Sequence, residues 1–248
     1  MRVAALYDIH GNLPALEAVL AEVRRAEVDR IVVGGDVVVG PMSRDAVRVL
    51  VDLDTPVDFI QGNCEVAVLA DMAGRDPGPL PEQVRAAIHD TAQQFDPDGR
   101  RLMASWPKTF RLEIPGIGSV FFCHATPRNE NECFTRLTPE DRLTPLFDPL
   151  NAAAAICGHT HMQFDRMIGN TRVVNAGSVG MPFGEPGADW LLLGPDVQLR
   201  HTAYDLEDAA ARILRSSYPQ AEEFVSRYLL KPPPADDMLA LFTRAQLT

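Results

Sequence analysis

Apolar and polar positions alternate in blocks along the first sixty residues. Arg2 to Tyr7 is a short apolar run that ends at Asp8, as a buried strand would. Leu13, Leu16, Val19, Leu20 and Val23 then recur at helical spacing. Asn12 is placed to cap that helix, over 13–26, and Pro14 is tolerated in its first turn. Arg30 to Val33 is a second strand and runs into Gly-Gly-Asp; Ser43 is placed to cap a second helix through Leu53. Val57 to Ile60 is a third strand, followed by Gln-Gly-Asn. Strand–helix–strand–helix–strand predicts a layered α/β fold whose first strands are parallel.

The pattern changes after residue 64. Gly74 to Pro81 is rich in Pro and Gly and reads as a loop, and Glu82 to Phe95 as a helix; residues 65–108 together predict a helical insertion over one end of the sheet. Strand signals then dominate, at 109–114, 118–123, 153–157, 163–168, 171–174, 189–193 and 197–203, with Gly169-Asn170 as a hairpin turn. C-terminal helices are expected over about 206–246: two amphipathic segments from Leu206 to Leu230 broken at Pro219, a stiff spacer at Pro232 to Pro234, and a last short helix. Leu214, Phe224, Tyr228 and Leu229 of this tail are expected to pack on the sheet. The whole chain, 1–248, is read as one domain.

Composition narrows the classes. With 46% hydrophobic and 23% charged residues, the 248-residue chain is not a disordered one. No apolar stretch reaches the roughly 18 residues that cross a bilayer. The N-terminus lacks the apolar core and cleavage site of a signal peptide, so a cytoplasmic protein with no membrane partner is expected. A net charge of −11 argues against general nucleic-acid binding. The four cysteines form no C-x-x-C pair and are expected to be reduced. Cys123 and Cys157 read as buried core.

Metal-competent residues follow the ends of the predicted strands. Asp8 and His10 follow the first, Asp36 the second and Asn63 the third; His124 follows 118–123, and His159 and His161 follow 153–157. Ligand sites of open α/β sheets gather at such carboxyl ends. D-x-H, G-D and G-N are each weak alone; their joint appearance, each after a strand, is the signal. His89 and His201 lie outside it and read as structural or solvated. Asp and His suit borderline divalent ions, and one carboxylate can bridge two of them. Residues two apart point to opposite sides of an extended segment but converge in a tight loop, so the spacing leaves both arrangements open for Asp8/His10 and His159/His161. Two carboxylates against two dications leave a positive site, which suits an anion. In-line attack on a phosphoester by a metal-bound hydroxide fits these features.

Asp8-x-His10, Gly35-Asp36, Gly62-Asn63, His124 and Gly158-His159-x-His161 as a set resemble the calcineurin-like metallophosphoesterase superfamily, over residues 3 to about 180. Asp8-Ile9-His10-Gly11-Asn12 and Asn175-Ala176-Gly177-Ser178-Val179-Gly180 are similar to small bacterial members of its phosphodiesterase-like branch. The resemblance implies an α/β four-layer αββα sandwich of two mixed sheets flanked by helices, with a binuclear metal centre at one edge. It implies that Asp8, His10 and His161 hold one ion, that Asn63, His124 and His159 hold the other, and that Asp36 bridges them. Mn, Fe, Zn, Co and Ni are all admissible to this donor set, with Mn favoured.

The family usually has His after Gly-Asn, on the leaving-group side; here Cys64 and Glu65 follow. A thiol matches that role less well than imidazole, which suggests a substrate with a less basic leaving group, or Cys64, Glu65 or a metal-bound water as the candidate acid, with a simple turn role for Cys64 as the alternative. Arg128, four residues after His124, is a candidate contact to a phosphate or the leaving group, the alternative being a solvated surface residue. Asn175 and Ser178 read as turn residues, the alternative being that they order the loop beside the metals. The expected activity is a phosphodiesterase on a small phosphorylated or nucleotide-like substrate. The alternatives are a phosphomonoesterase or serine/threonine protein phosphatase, a dinucleoside polyphosphate hydrolase, or a non-catalytic scaffold on the same fold. Scaffolds usually have eroded ligand sets, and this one is intact. A homodimer through the C-terminal helices is a further open expectation.

Overall fold

Each apolar run of the first sixty residues becomes one element of a sheet layer. The computed structural model describes residues 1–245 and 247. It begins with β1 (Val3–Leu6), α1 (Leu13–Arg25), β2 (Arg30–Val33), α2 (Ser43–Val51) and β3 (Val57–Phe59). The insertion forms α3 (Asn63–Met72), α4 (Glu82–Gln93) and α5 (Pro97–Ser105). Next come β4 (Thr109–Ile114), β5 (Gly118–Cys123), α6 (Glu140–Phe147), β6 (Ala154–Cys157), β7 (Phe164–Ile168) and β8 (Thr171–Asn175). The chain continues through β9 (Ala188–Leu193), β10 (Val197–Thr202), α7 (Leu206–Leu214), α8 (Ala221–Phe224) and α9 (Ala235–Arg244).

Two five-stranded sheets result, ordered β10-β9-β1-β2-β3 and β4-β5-β6-β8-β7. β1, β2 and β3 are parallel, as are β5, β6 and β8; antiparallel strands complete both sheets. Side chains alternate faces along a strand, and β1 shows the result. Val3, Ala5 and Tyr7 pack between the sheets with Val120, Phe122, Ile156, Val174 and Leu191. Ala4 and Leu6 point the other way, onto Leu16 and Val19 of α1 and Leu50 of α2. The outer face of the second sheet, including Cys123 and Cys157, packs on Leu143 and Phe147 of α6. The layers are therefore helix, sheet, sheet, helix, and both cysteines are buried and free. Among the described residues no helix is long and apolar enough to cross a membrane.

Local chemistry explains most boundaries. Asn12 caps α1, its Oδ1 accepting from Ala15 N at 3.2 Å, while its Nδ2 donates to Gly180 O at 2.9 Å. Ser43 does not cap α2: it is the first helical residue, and its hydroxyl donates to Gly40 O at 3.0 Å, a closer local acceptor. Gly62-Asn63 is not a free turn but the start of α3. α6 was not expected from the sequence, where Pro145 interrupts the helical spacing of Leu143, Leu146 and Phe147.

The tail departs further. α8 runs on as a π-helical turn over Val225–Leu229. Gln246, at the expected end of the last helix, lies outside the described residues. The tail's apolar residues do not lie on a sheet. Leu214 is 49% exposed, and Phe224 and Leu229 pack with Ile213 of α7, Ala87 of α4 and the loop residues Val39, Met42 and Met181. Their amphipathic faces find the insertion and the strand-end loops, because both sheets are already covered.

Candidate metal centre

Parallel strands deliver their following turns to one edge. The turns after β1 and β2 are tied together by Asp8 N→Gly35 O at 3.1 Å and His10 N→Asp36 O at 2.9 Å. The second sheet joins them through Gly158 N→His124 O at 2.8 Å and His159 N→Asp8 Oδ2 at 2.8 Å. Two of the motif glycines are needed because the Asp36 and Asp8 carboxylates rest on them. A Cβ at Gly62 would meet Asp36, and one at Gly158 would meet Asp8 Oδ2.

All seven sequence-predicted metal residues come together. Nitrogen and oxygen atoms of Asp8, His10 and His161 lie within 4.8 Å of one another, and so do those of Asp36, His124 and His159. Asn63 Oδ1 sits 3.0 Å from His124 Nε2. Asp36 lies between the groups: Oδ2 is 3.8 Å from His10 Nε2, and Oδ1 is 3.5 Å from His124 Nε2. The spacing question left open by the sequence is thereby answered. Asp8 and His10 converge on one group, whereas His159 and His161 diverge to different groups.

The rings are aimed by outer hydrogen bonds. His124 Nδ1 meets Gly34 O at 2.9 Å, and His161 Nδ1 meets Met181 O at 2.8 Å. A carbonyl only accepts, so Nδ1 carries the hydrogen and Nε2 is left for the centre, the usual way a protein orients metal-binding imidazoles. His159 is turned round: its Nε2 meets Asn131 O at 3.1 Å.

These groups fit a cation better than they fit each other. Asp8 is fully buried, yet its Oδ1 has no hydrogen-bond partner, and the His10 and His161 Nε2 atoms face each other at 3.2 Å. Buried polar atoms are rarely left unmatched. Charges are correspondingly perturbed. Burial disfavours a charged His124, but the carboxylates of Asp36 and Asp8 outweigh it and raise its pKa to about 10. Burial, followed by the neighbouring His124, lowers His159 to about 4. Burial opposes ionisation of Asp36, yet His124 holds its carboxyl well below the usual range. A centre with buried anions and inward-facing lone pairs is suited to divalent ions.

The backbone is also specialised. Asp8, His10, Asp36, His159 and His161 all have positive φ, from 46° to 69°. Such conformations are uncommon for non-glycine residues, cost roughly 1–3 kcal/mol each and cluster at functional sites.

The remaining candidates fall in different places. Cys64 is at the centre: its N donates to Asp36 Oδ1 at 2.8 Å and its thiol to Oδ2 at 3.1 Å. Burial and then Asp36 push that thiol well up. Glu65 lies behind the centre and is saturated with backbone donors. It accepts from Asp36 N, Val37 N, Val38 N and Gly62 N at 2.7–3.2 Å, tying the β2 turn to the start of α3. Burial and Asp36 raise its pKa to about 7 against the pull of these donors. Arg128 has another partner: its Nε donates to Glu132 Oε1 at 2.6 Å. Asn175 and Ser178 are more than turn residues. Both are fully buried, Asn175 Nδ2 donating to Gly158 O at 2.7 Å and Ser178 Oγ to Asp8 O at 2.7 Å. His89 pairs with Asp71 and His201 with Asp189, both away from the centre.

A cavity of about 390 Å³ opens onto His10, Asp36, Asn63, Cys64, His159 and His161. Its other walls were missed by sequence reasoning: the loop residues Val39 and Met181, Gln83, Val84 and Ala87 of α4, and Tyr218, Gln220, Glu223, Phe224, Arg227, Tyr228 and Phe242 of the tail. A groove of about 550 Å³ along β3 holds none of the candidate ligands.

A two-sheet sandwich with an Asp/His/Asn cluster at its carboxyl edge defines a metal-dependent hydrolase class. The chain belongs to the calcineurin-like phosphoesterase superfamily, whose domain model matches residues 1–194. Metal-dependent phosphoester hydrolysis is the chemistry of that family. An uncharacterised protein of Methanocaldococcus jannaschii is 26% identical over 239 residues, covering 88% of this chain and 94% of the relative. The crystal structure of a metallophosphoesterase from Sphaerobacter thermophilus superposes with a TM-score of 0.69 at 26% identity, covering 92% of this chain and 98% of that one. A hypothetical protein of Pyrococcus horikoshii shares the fold with a TM-score of 0.81 at 21% identity, covering 94% and 99%.

Proposed function

We propose that this protein is a binuclear metal-dependent phosphodiesterase acting on a small, nucleotide-like phosphoester. Asp8, His10 and His161 would hold one divalent ion, Asn63, His124 and His159 the other, with Asp36 shared and manganese the favoured ion. The observation that carries this reading is the position of Asp36, whose two oxygens face two different histidine groups. When bound, the ions supply Lewis acidity toward phosphate oxygens, an activated water and charge stabilisation in the transition state.

The chain's own residues do the rest. Gly34 O and Met181 O fix the tautomers of His124 and His161. Glu65 clamps the Asp36 turn, and Cys64 fixes both Asp36 oxygens. Cys64 is a proton-bearing group on the cavity wall beside the ligands. A thiol protonates a leaving group less well than imidazole, which favours substrates whose leaving group departs with little help. Diester preference is supported by the cavity. Among its described lining residues Arg227 is the sole lysine or arginine, and it pairs with Glu223 at 3.4 Å. A monoester dianion would gain little there, whereas the apolar walls suit a second ester arm.

The test uses metal-stripped protein reconstituted in turn with Mn, Ni, Co, Zn or Mg. Turnover of bis-p-nitrophenyl phosphate and p-nitrophenyl phosphate is measured alongside metal per chain. Two ions per chain and faster diester turnover are expected. Faster monoester turnover would overturn the diester preference; bound metal with neither ester hydrolysed would overturn the enzymatic reading on these substrates.

A further inference from the structure

The part of the cavity wall that carries no metal ligand is built from the insertion and the tail. Two half-buried aromatic rings line it, Tyr228 and Phe242. Each is backed by other rings. Tyr228 lies 6.0 Å from Phe224, which lies 6.5 Å from Tyr218. Phe242 lies 6.2 Å from Phe183, which stacks on His161 at 5.2 Å and 18°. The aromatic surface thus reaches back to the metal centre. Tyr228 stands on the π-helical turn Val225–Leu229, a departure from α-helix of the kind often retained at functional sites.

Glu223 and Arg227 on this wall pair with each other at 3.4 Å, and beside the tyrosine hydroxyls the remaining polar side chains are carboxamides. Gln83 and Gln220 both line the cavity, and Gln220 is held in place by its Nε2 donating to Gln83 O at 2.8 Å. A carboxamide both donates and accepts, as the edge of a nucleobase does. An aliphatic or acyl arm would use the apolar surface but would leave the amides unused. Ring faces with adjacent amides are how proteins take an unpaired base: stacking gives affinity, and hydrogen bonds read the edge.

We propose that this wall is a nucleoside subsite, so that the substrate is a phosphodiester with a nucleoside on one arm. Its base lies against Tyr228 and Phe242 and is read at its edge by Gln83 and Gln220. This rests on the phosphodiesterase reading above. The volume, about 390 Å³, is within the range of small-molecule sites, roughly 300–1,000 Å³.

The test compares three esters with one leaving group: methyl, phenyl and thymidine 5′-p-nitrophenyl phosphate, on the metal-loaded protein. The thymidyl ester should show a kcat/KM at least roughly tenfold above the other two, the scale of one base–aromatic stack. Tyr228→Ala and Phe242→Ala should each lower the thymidyl value far more than the methyl value, and Tyr228→Phe, which keeps the ring, should retain the preference. Equal values for thymidyl and methyl esters would overturn the subsite; a phenyl ester as good as the thymidyl ester would overturn its assignment to nucleosides. If no diester is hydrolysed, the phosphodiesterase reading fails separately, and calorimetric titration with thymidine 5′-monophosphate still decides. Binding that is weakened by Tyr228→Ala supports the subsite, and binding indifferent to it refutes it.

Discussion

Replacing Asn175 with alanine separates a turn residue from a brace. Asn175 closes β8 with its side chain fully buried. Its Nδ2 donates to Gly158 O at 2.7 Å and Thr160 Oγ1 at 3.2 Å, and its Oδ1 accepts from Gly177 N at 2.9 Å. These bonds span the turn that sets His159 and His161 at φ 69° and 56°. In Asn175→Ala, Gly158 O keeps a second donor, Thr160 N at 2.8 Å, so its loss is small. Gly177 N–H is left without its side-chain acceptor, at roughly 1–3 kcal/mol, and the bond to Thr160 adds about 0.5–1.5 kcal/mol. The expected loss is about 3 kcal/mol. At roughly 2–4 °C per kcal/mol for a chain of this size, Tm should fall by about 6–12 °C. A plain turn role would cost within about 0.5 kcal/mol, or under about 2 °C.

Stability alone does not show that the brace serves the site. Metal affinity does, because the two strained histidines depend on the same bonds. Competition with a chelator should show binding roughly 10–100-fold weaker at a temperature where the variant is folded, as outer supports of metal ligands usually do. Asn175→Asp is the matching control. It keeps an acceptor for Gly177 N and can accept from the Thr160 hydroxyl, but it sets a charged oxygen against the Gly158 carbonyl, so it should not restore the parent's stability. A Tm within about 2 °C of the parent would refute the brace. A large Tm loss with unchanged metal affinity would refute its role in positioning the histidines.

Three further outcomes are expected. Asp36→Asn should bind fewer than two ions per chain by elemental analysis and lose at least roughly a hundredfold in turnover, since it alters a shared ligand rather than an outer support; full turnover would refute the bridging role. Gly62→Ala should lose about 1–3 kcal/mol in denaturant unfolding and bind metal less well, because its Cβ would displace the Asp36 carboxylate. Arg128→Ala should leave KM and kcat unchanged but lower stability by roughly 1–3 kcal/mol, because the buried carboxylate of Glu132 loses its cationic partner; a raised KM would return Arg128 to the substrate.

The clustering of the candidate metal residues was legible because such chemistry restricts them to Asp, His and Asn, and because parallel strands must release their turns at one edge. Gly62 and Gly158 go with them for a related reason, since the Asp36 and Asp8 carboxylates occupy the space a side chain would need, while Gly35 lies against the backbone of Gly62. What could not be read was geometry that ordinary residues adopt under constraint. Nothing in the letters of Asp8 or His161 announces a left-handed backbone, which emerges only when Gly35 O, Asp36 O and the Asn175 and Ser178 braces hold the turns. The cavity wall was hidden for a different reason. Tyr228 and Phe242 sit in amphipathic segments whose apolar faces look the same whether they cover a sheet or line a cavity. Both sheets already have helices on their outer faces, so the tail packs on the insertion and the strand-end loops. The same topological fact that defeated the expectation of sheet packing is what places those rings beside the candidate metal ligands.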